Sequence, residues 1–141
     1  MSAQPRARLK FDRVEEMSED GKLWMEVTLT FNGRPYVGRS PAVEENESRA
    51  GVRRAALATL DAIESFVDHQ FTCELQEVDR VQALGKELIV LLITIDFEGR
   101  HIQLFGSCRA TDDIAEAAAK AALDATNRYI DLVLASRPPD A

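Results

Sequence analysis

The residues with the most chemical reach in this chain lie in one octapeptide, Gly106-Ser107-Cys108-Arg109-Ala110-Thr111-Asp112-Asp113, just ahead of an alanine-rich stretch. A helix start there would carry unpaired N–H groups and the positive end of a dipole, which favour a carboxylate or another anion. Gly106 would permit a close approach, and Arg109 would pair with the ligand's carboxylate. The candidate ligand-binding residues are therefore Gly106, Ser107, Arg109, Thr111 and Asp112, with Arg39 and Ser40 at the corresponding place earlier in the chain. The same groups have a structural use. Asp113 and Glu116 are spaced as a capping box that satisfies the helix N–H groups itself, which would leave the arginines as surface residues.

Other reactive side chains are isolated. Cys108, before a helix start and beside Arg109, has a setting that lowers a thiol pKa, yet no histidine base is placed near it, so it reads as an inert loop cysteine. Cys73 lies in a strand; the pair has no CxxC spacing and reads as two free thiols. His69 sits in a connecting segment and His101 at a hairpin, neither with a second histidine or acid at ligand spacing, so no metal and no cofactor is expected. The acidic runs "EEMSED" and "VEENE" read as solvated turns or helix starts. Catalysis is not expected of this residue set.

The chain has 141 residues, of which 45% are hydrophobic, enough for one core and one domain over 1–141. A net charge of −7 opposes nucleic acid and anionic membrane surfaces as partners. No apolar run approaches the roughly 20 residues that span a bilayer, and "MSAQPRARLK" lacks the apolar centre of a signal peptide, so a cytoplasmic location is expected.

Periodicity supplies the elements that must position these residues. In "KLWMEVTLTF", Leu23, Met25, Val27, Leu29 and Phe31 alternate with polar residues and Trp24, which predicts a strand with one drier face. Asn32-Gly33 is a two-residue hairpin signal, and "RPYVGRS" returns, with Pro35 marking an edge position or a strand start. "RLKFDRVEE" is a weaker strand upstream, joined through "MSEDG". From about Glu47 the period becomes helical, with Val52, Ala56, Thr59, Ile63 and Phe66 on one side and Arg53, Arg54, Asp61 and Glu64 on the other, until about Asp68. Ser40-Pro41, Asn46 and Ser48 all qualify as its start.

The second half repeats this order. "FTCELQEVDRV", "ELIVLLITIDF" and "RHIQLFGS" read as strands, with Glu98-Gly99 at a turn, before the alanine-rich helix. Phe31-Asn32-Gly33-Arg34 matches Phe97-Glu98-Gly99-Arg100, and "ATLDAIE" (58–64) matches "AALDATN" (121–127). The expected fold is α+β: two βββα repeats, 8–68 and 71–136, forming one pseudo-symmetric domain with flexible tails at 1–7 and 137–141. In the second helix Glu116, Lys120, Asp124 and Arg128 run down a solvated face as i,i+4 pairs. Ile114, Ala118, Ala121, Ala125 and Leu132 form one apolar stripe, and Ala115, Ala119, Ala122, Tyr129 and Val133 another.

The stretch "TDDIAEAAAKAALDATNR", preceded by "FEGR" and by a strand ending in "FGS", resembles the second repeat of the C-terminal regulatory domain of 2-isopropylmalate synthases, a domain shared with citramalate synthases. The residues that carry the likeness are Thr111, Asp112, Ile114, Glu116, Ala117, Asn127 and Arg128. The resemblance implies two βββα units, an intertwined dimer, and a feedback inhibitor, leucine or isoleucine, bound near the dimer interface. In the first repeat, "GRSPAVEENESRAG" replaces the family's short glycine-rich loop, so a ligand bulkier or more polar than leucine suits the chain as well as leucine. The barrel that carries catalysis in those synthases needs about 250 residues and is not in this sequence.

A homodimer is also expected from the residues. Leu88 to Ile95 is apolar on both faces except at Thr94, and a strand of that kind needs two covers. One helix per repeat supplies one of them. A second subunit would supply the other and use the broad alanine surface. The resulting expectation is a non-catalytic, dimeric regulatory module that senses a small carboxylate metabolite or docks a protein partner. The alternatives are a purely structural oligomerisation module and, more remotely, a small enzyme using Cys108. A double-stranded RNA reader is opposed by acidity and by the lack of a basic helix start.

Overall fold

Both halves are built on hairpins whose two-residue turns place a left-handed residue before a glycine: Asp20-Gly21 and Asn32-Gly33 in the first, Leu84-Gly85 and Glu98-Gly99 in the second. Such turns match the twist of the strands they join. The structure is a computed structural model that describes residues 8–44 and 51–137. Along the chain it places β1 (Lys10–Glu19), β2 (Lys22–Phe31), β3 (Arg34–Arg39), β4 (Val43–Glu44), α1 (Gly51–Phe66), β5 (Phe71–Ala83), β6 (Lys86–Phe97), β7 (Arg100–Arg109) and α2 (Ile114–Ser136). The class is α+β, with two antiparallel sheets and two helices, compatible with a repeated βββα unit.

The first sheet has the order β1-β2-β3, with β4 pairing the start of β2; the second has the order β5-β6-β7. The leading strand of each sheet carries a register shift at a matching place, between Phe11 and Arg13 and between Leu75 and Glu77. Pro35 falls in β3, an edge strand that pairs with β2 alone among the described residues, where a missing N–H is harmless.

Each helix touches both sheets. Helix α1 packs on β2 and β3, on α2, and at its margin on β5; α2 packs on β6 and β7, on α1, and at its margin on β1. The helices therefore form the middle layer between two sheets. The packing corrects two expectations. The alanine surface of α2 is consumed inside the chain, since Ala117, Ala118, Ala119, Ala121, Ala122 and Ala125 are all buried without a second subunit, while Leu132 is exposed. Arg54, assigned to the outer side of α1, is 3% exposed, because it shares a stripe with Ala58 and Ala62, the side of α1 that rests on the first sheet; its guanidinium lies 3.6 Å from Glu16 of β1.

Thin side chains bring layers together. A Cβ built at Gly38 of β3 would collide with the backbone of Ala58 and Ala62 in α1, and one at Gly106 of β7 would collide with the carbonyl of Ala121 and with Ala125 in α2. Both helices thus ride on a bare stretch of strand backbone. The next residue along each strand donates its N–H to an aspartate of the same helix: Arg39 to Asp61 at 2.9 Å and Ser107 to Asp124 at 3.0 Å. This glycine–aspartate clasp is the strongest structural sign that the halves are equivalent.

Helix α1 ends in a Schellman arrangement, with Asp68 left-handed, its N–H bonded to the carbonyl of Ser65, and the His69 N–H bonded to that of Glu64. Its expected beginning near Glu47, and the caps Asn46 and Ser48, lie outside the described residues. Helix α2 is capped by Asp113, whose carboxylate accepts the Glu116 N–H at 3.1 Å. The reciprocal arm of the expected box is replaced: the Glu116 carboxylate meets Lys120 at 3.3 Å instead. Arg137, expected in a flexible tail, is anchored by donating to the Phe66 carbonyl at 2.8 Å, with its guanidinium over the Phe66 ring.

Candidate functional site

The expected anion site does not assemble as one loop. Strand β7 continues through Arg109, so Gly106, Ser107, Cys108 and Arg109 belong to a strand, and only residues 110–113 connect it to α2. The close approach that Gly106 permits is made by α2 itself. The Ser107 N–H is already bonded to Asp124. Alternation then sends Gly106 and Cys108 toward α2, and Ser107 and Arg109 to the opposite face of the sheet. In the short connection, the Ala110 N–H bonds the Glu87 carbonyl at 2.8 Å, and the Thr111 hydroxyl lies 3.3 Å from the Asp113 carbonyl; Asp112 is exposed.

The first-repeat counterparts are also committed. Ser40 is buried, and its hydroxyl accepts the Met25 N–H at 2.8 Å while its own N–H donates to the Met25 carbonyl at 3.0 Å. It bridges the gap between β3 and β4, where Pro41 has no N–H to contribute. Arg39 pairs through Nε with Glu26 at 3.0 Å. Of the candidate residues, Ser107 and Arg109 are exposed on the outer face of the sheet, and Thr111 and Asp112 are exposed in the connection to α2.

The thiols are poorly disposed to react. Burial, reinforced by the neighbouring Glu64 carboxylate, pushes Cys73 up to about 12. Cys108 is also raised, mainly by burial, with Lys120 opposing and Asp124 and Glu116 adding. Fewer molecules hold a thiolate at neutral pH than for a free cysteine. His101 meets Asp96, its cross-strand partner on β6, an acid that strand pairing rather than sequence spacing brings to it. Among the described residues no group of three or more His, Cys, Asp or Glu is gathered to hold a metal ion, and no helix is long and apolar enough to cross a membrane.

The unsatisfied feature of the molecule is a surface. In the second sheet Ile89, Leu91, Ile93 and Ile95 of β6 point to the helices and are buried. Their half-buried neighbours Leu88, Val90, Leu92 and Thr94 point the other way, where no element among the described residues covers them. Beside them on β7, Phe105 is 72% exposed and pairs across strands with Leu92; beside them on β5, Val81 pairs with Leu88. A groove of about 200 Å³ runs over Val90 and Leu92, bounded by Glu77, Asp79 and Val81 on one side and Phe105 on the other. Sequence reasoning found the β6 half of this surface from its two-sided apolar pattern. It missed Phe105 and Val81, whose place on the same face depends on register.

The chain matches no protein-family model and no curated protein.

Proposed function

We propose that this chain is a non-catalytic module that self-associates as a homodimer through the open face of its second sheet, in the manner of the regulatory domains of 2-isopropylmalate and citramalate synthases that its second half resembles. One observation carries this reading: a row of Leu88, Val90 and Leu92 flanked by Phe105 lies on the side of the sheet away from both helices. Removing such a surface from water stabilises association by about 25 cal/mol per Å² before the cost of binding is subtracted. The repeated βββα order supports the family likeness. Light scattering at micromolar concentration tests the dimer, with an expected mass of twice the 15.7 kDa of one chain. A mass of one chain overturns it.

Whether the dimer also senses a carboxylate metabolite is a separate question within this reading. The purely structural alternative is favoured by the internal use of Gly106, Ser40 and the Ser107 N–H, which removes the backbone cradle expected to hold a ligand. A thermal-shift screen of amino acids, 2-oxo acids and nucleotides decides between them. A ligand that binds only the folded protein raises its Tm, and a flat screen leaves the module with assembly alone.

A further inference from the structure

We infer that the two copies pack face to face about a two-fold axis that runs parallel to β6, so that β5 of each copy lies over β7 of the other. The inference rests on the proposed self-association and fixes its geometry.

Two aligned sheets facing one another in a symmetric dimer can be related by an axis along the strands or by one across them. The three strands of this face differ in charge. From β5 come Thr72, Glu74, Glu77, Asp79 and Val81; from β7 come His101, Gln103, Phe105, Ser107 and Arg109; the pairing of both with β6 sets them on the same side as Leu88, Val90, Leu92 and Thr94. An axis across the strands lays β5 on β5 and stacks the carboxylates of Glu74, Glu77 and Asp79 against their own copies in a poorly hydrated interface, with no base on that strand's open face. Like charges so placed oppose binding. An axis along the strands lays those carboxylates over β7, which brings Arg109 and the polar Gln103 and Ser107 and no acid.

Shape points the same way. The exposed Phe105 stands on β7, and the groove that would receive a ring is bounded by Glu77, Asp79 and Val81 of β5. Phe105 is the β7 wall of that groove and the β5 residues are the other, with the hollow over Val90 and Leu92 between them. With β7 of one copy over β5 of the other, each Phe105 faces the β5 side of the other copy's hollow, twice over by symmetry, whereas β7 over β7 sets one Phe105 wall against the other. On β6 itself, Leu88, Val90 and Leu92 each pack against their own copy.

The β5–β6 turn provides the test, because Leu84 is fully exposed at its tip and outside the interface. A spin label is attached at Leu84→Cys in a chain with Cys73 and Cys108 replaced by alanine, and the distance between the two labels in the dimer is measured by pulsed electron resonance. With the axis along the strands, both tips lie at the same end, and the labels stand within about 25 Å, given sheets about 10 Å apart. With the axis across the strands, the tips lie at opposite ends, about 45 Å apart for seven residues of strand on either side. The short distance is expected and the long one overturns the arrangement while leaving the dimer intact; a monomer by light scattering overturns the reading beneath it. An unlabelled chain gives an independent check. Arg109→Glu is expected to raise the dimer Kd tenfold or more, and Asp79→Lys in the same chain to restore it. A dimer indifferent to Arg109→Glu overturns the arrangement as well.

Discussion

The outer faces of the two sheets start from the same pattern and end in different chemistry. On the first sheet, the strand centre carries Trp24, Glu26, Thr28 and Thr30 outward, and Glu26 is held by Arg39 across the strand, with Arg13 and Glu15 paired beside it. On the second sheet the same positions carry Leu88, Val90, Leu92 and Thr94. The helix-facing sides, by contrast, are nearly interchangeable: a buried aliphatic row, a glycine under the helix and an aspartate clasp in each. Constraint from packing holds the inner faces alike, and nothing in the fold requires the outer faces to match. A difference confined to the unconstrained side points to a role outside the fold of the single chain.

The comparison can be broken first at its shared part. Gly38→Val and Gly106→Val each push a side chain into helix backbone, so each is expected to destabilise by roughly 3 kcal/mol or more, at the upper end of overpacking costs. Urea denaturation reads both values. If one glycine tolerates the change and the other does not, the two inner faces are not equivalent.

The next effect separates the outer faces. Phe105→Lys is expected to raise the dimer Kd by at least about 100-fold, the loss of one buried aromatic anchor, and Val37→Lys, at an exposed site on the first sheet, to leave it within about twofold. Sedimentation equilibrium on both variants measures this, and equal weakening by the two would dissolve the distinction between the faces. A smaller effect tests the clasp. Asp61→Ala and Asp124→Ala remove one hydrogen bond each and should cost about 1 kcal/mol apiece in chemical denaturation.

The last is a pH effect, which is zero at neutral pH and develops only in alkaline solution. Because Cys73 is raised from 9.0 to about 12 in the folded chain, the folded state keeps a proton that the unfolded state releases. Stability is full below about pH 9 and falls as pH rises toward 12. The fall should be shallower in Cys73→Ala, and a difference of zero between the two chains between pH 9 and 11 would remove the thiol from the account.

Much of the fold was legible because it is written in short-range chemistry. Asn32-Gly33 and Glu98-Gly99 mark turns, the alternation in β2 marks a face, and Asp113 marks a helix start; the structure has all of them. Less legible were features that depend on what lies across a layer. The consumed alanines follow from helices lying between two sheets, and no periodicity within one helix reports the presence of a second cover; Arg54 is buried because its stripe, with Ala58 and Ala62, rests on the first sheet. The internal partners of the candidate ligand loop were hidden for a similar reason. Gly106 and Ser107 look free in sequence, and their partners, Ala121, Ala125 and Asp124, lie well along the next helix. Repeat alignment held the missing clue, since Gly38 with Asp61 and Gly106 with Asp124 recur in the same order.

The middle layer of helices also determines when the protein becomes a protein. Up to Phe66 the chain offers α1 only the first sheet to pack on, and the far side of α1 is covered by β5 and α2, which come later in the chain. Neither repeat contains all the contacts of its own buried state. In amide hydrogen exchange, the central amides of α1 and α2 should therefore exchange with one common free energy, that of opening the whole chain.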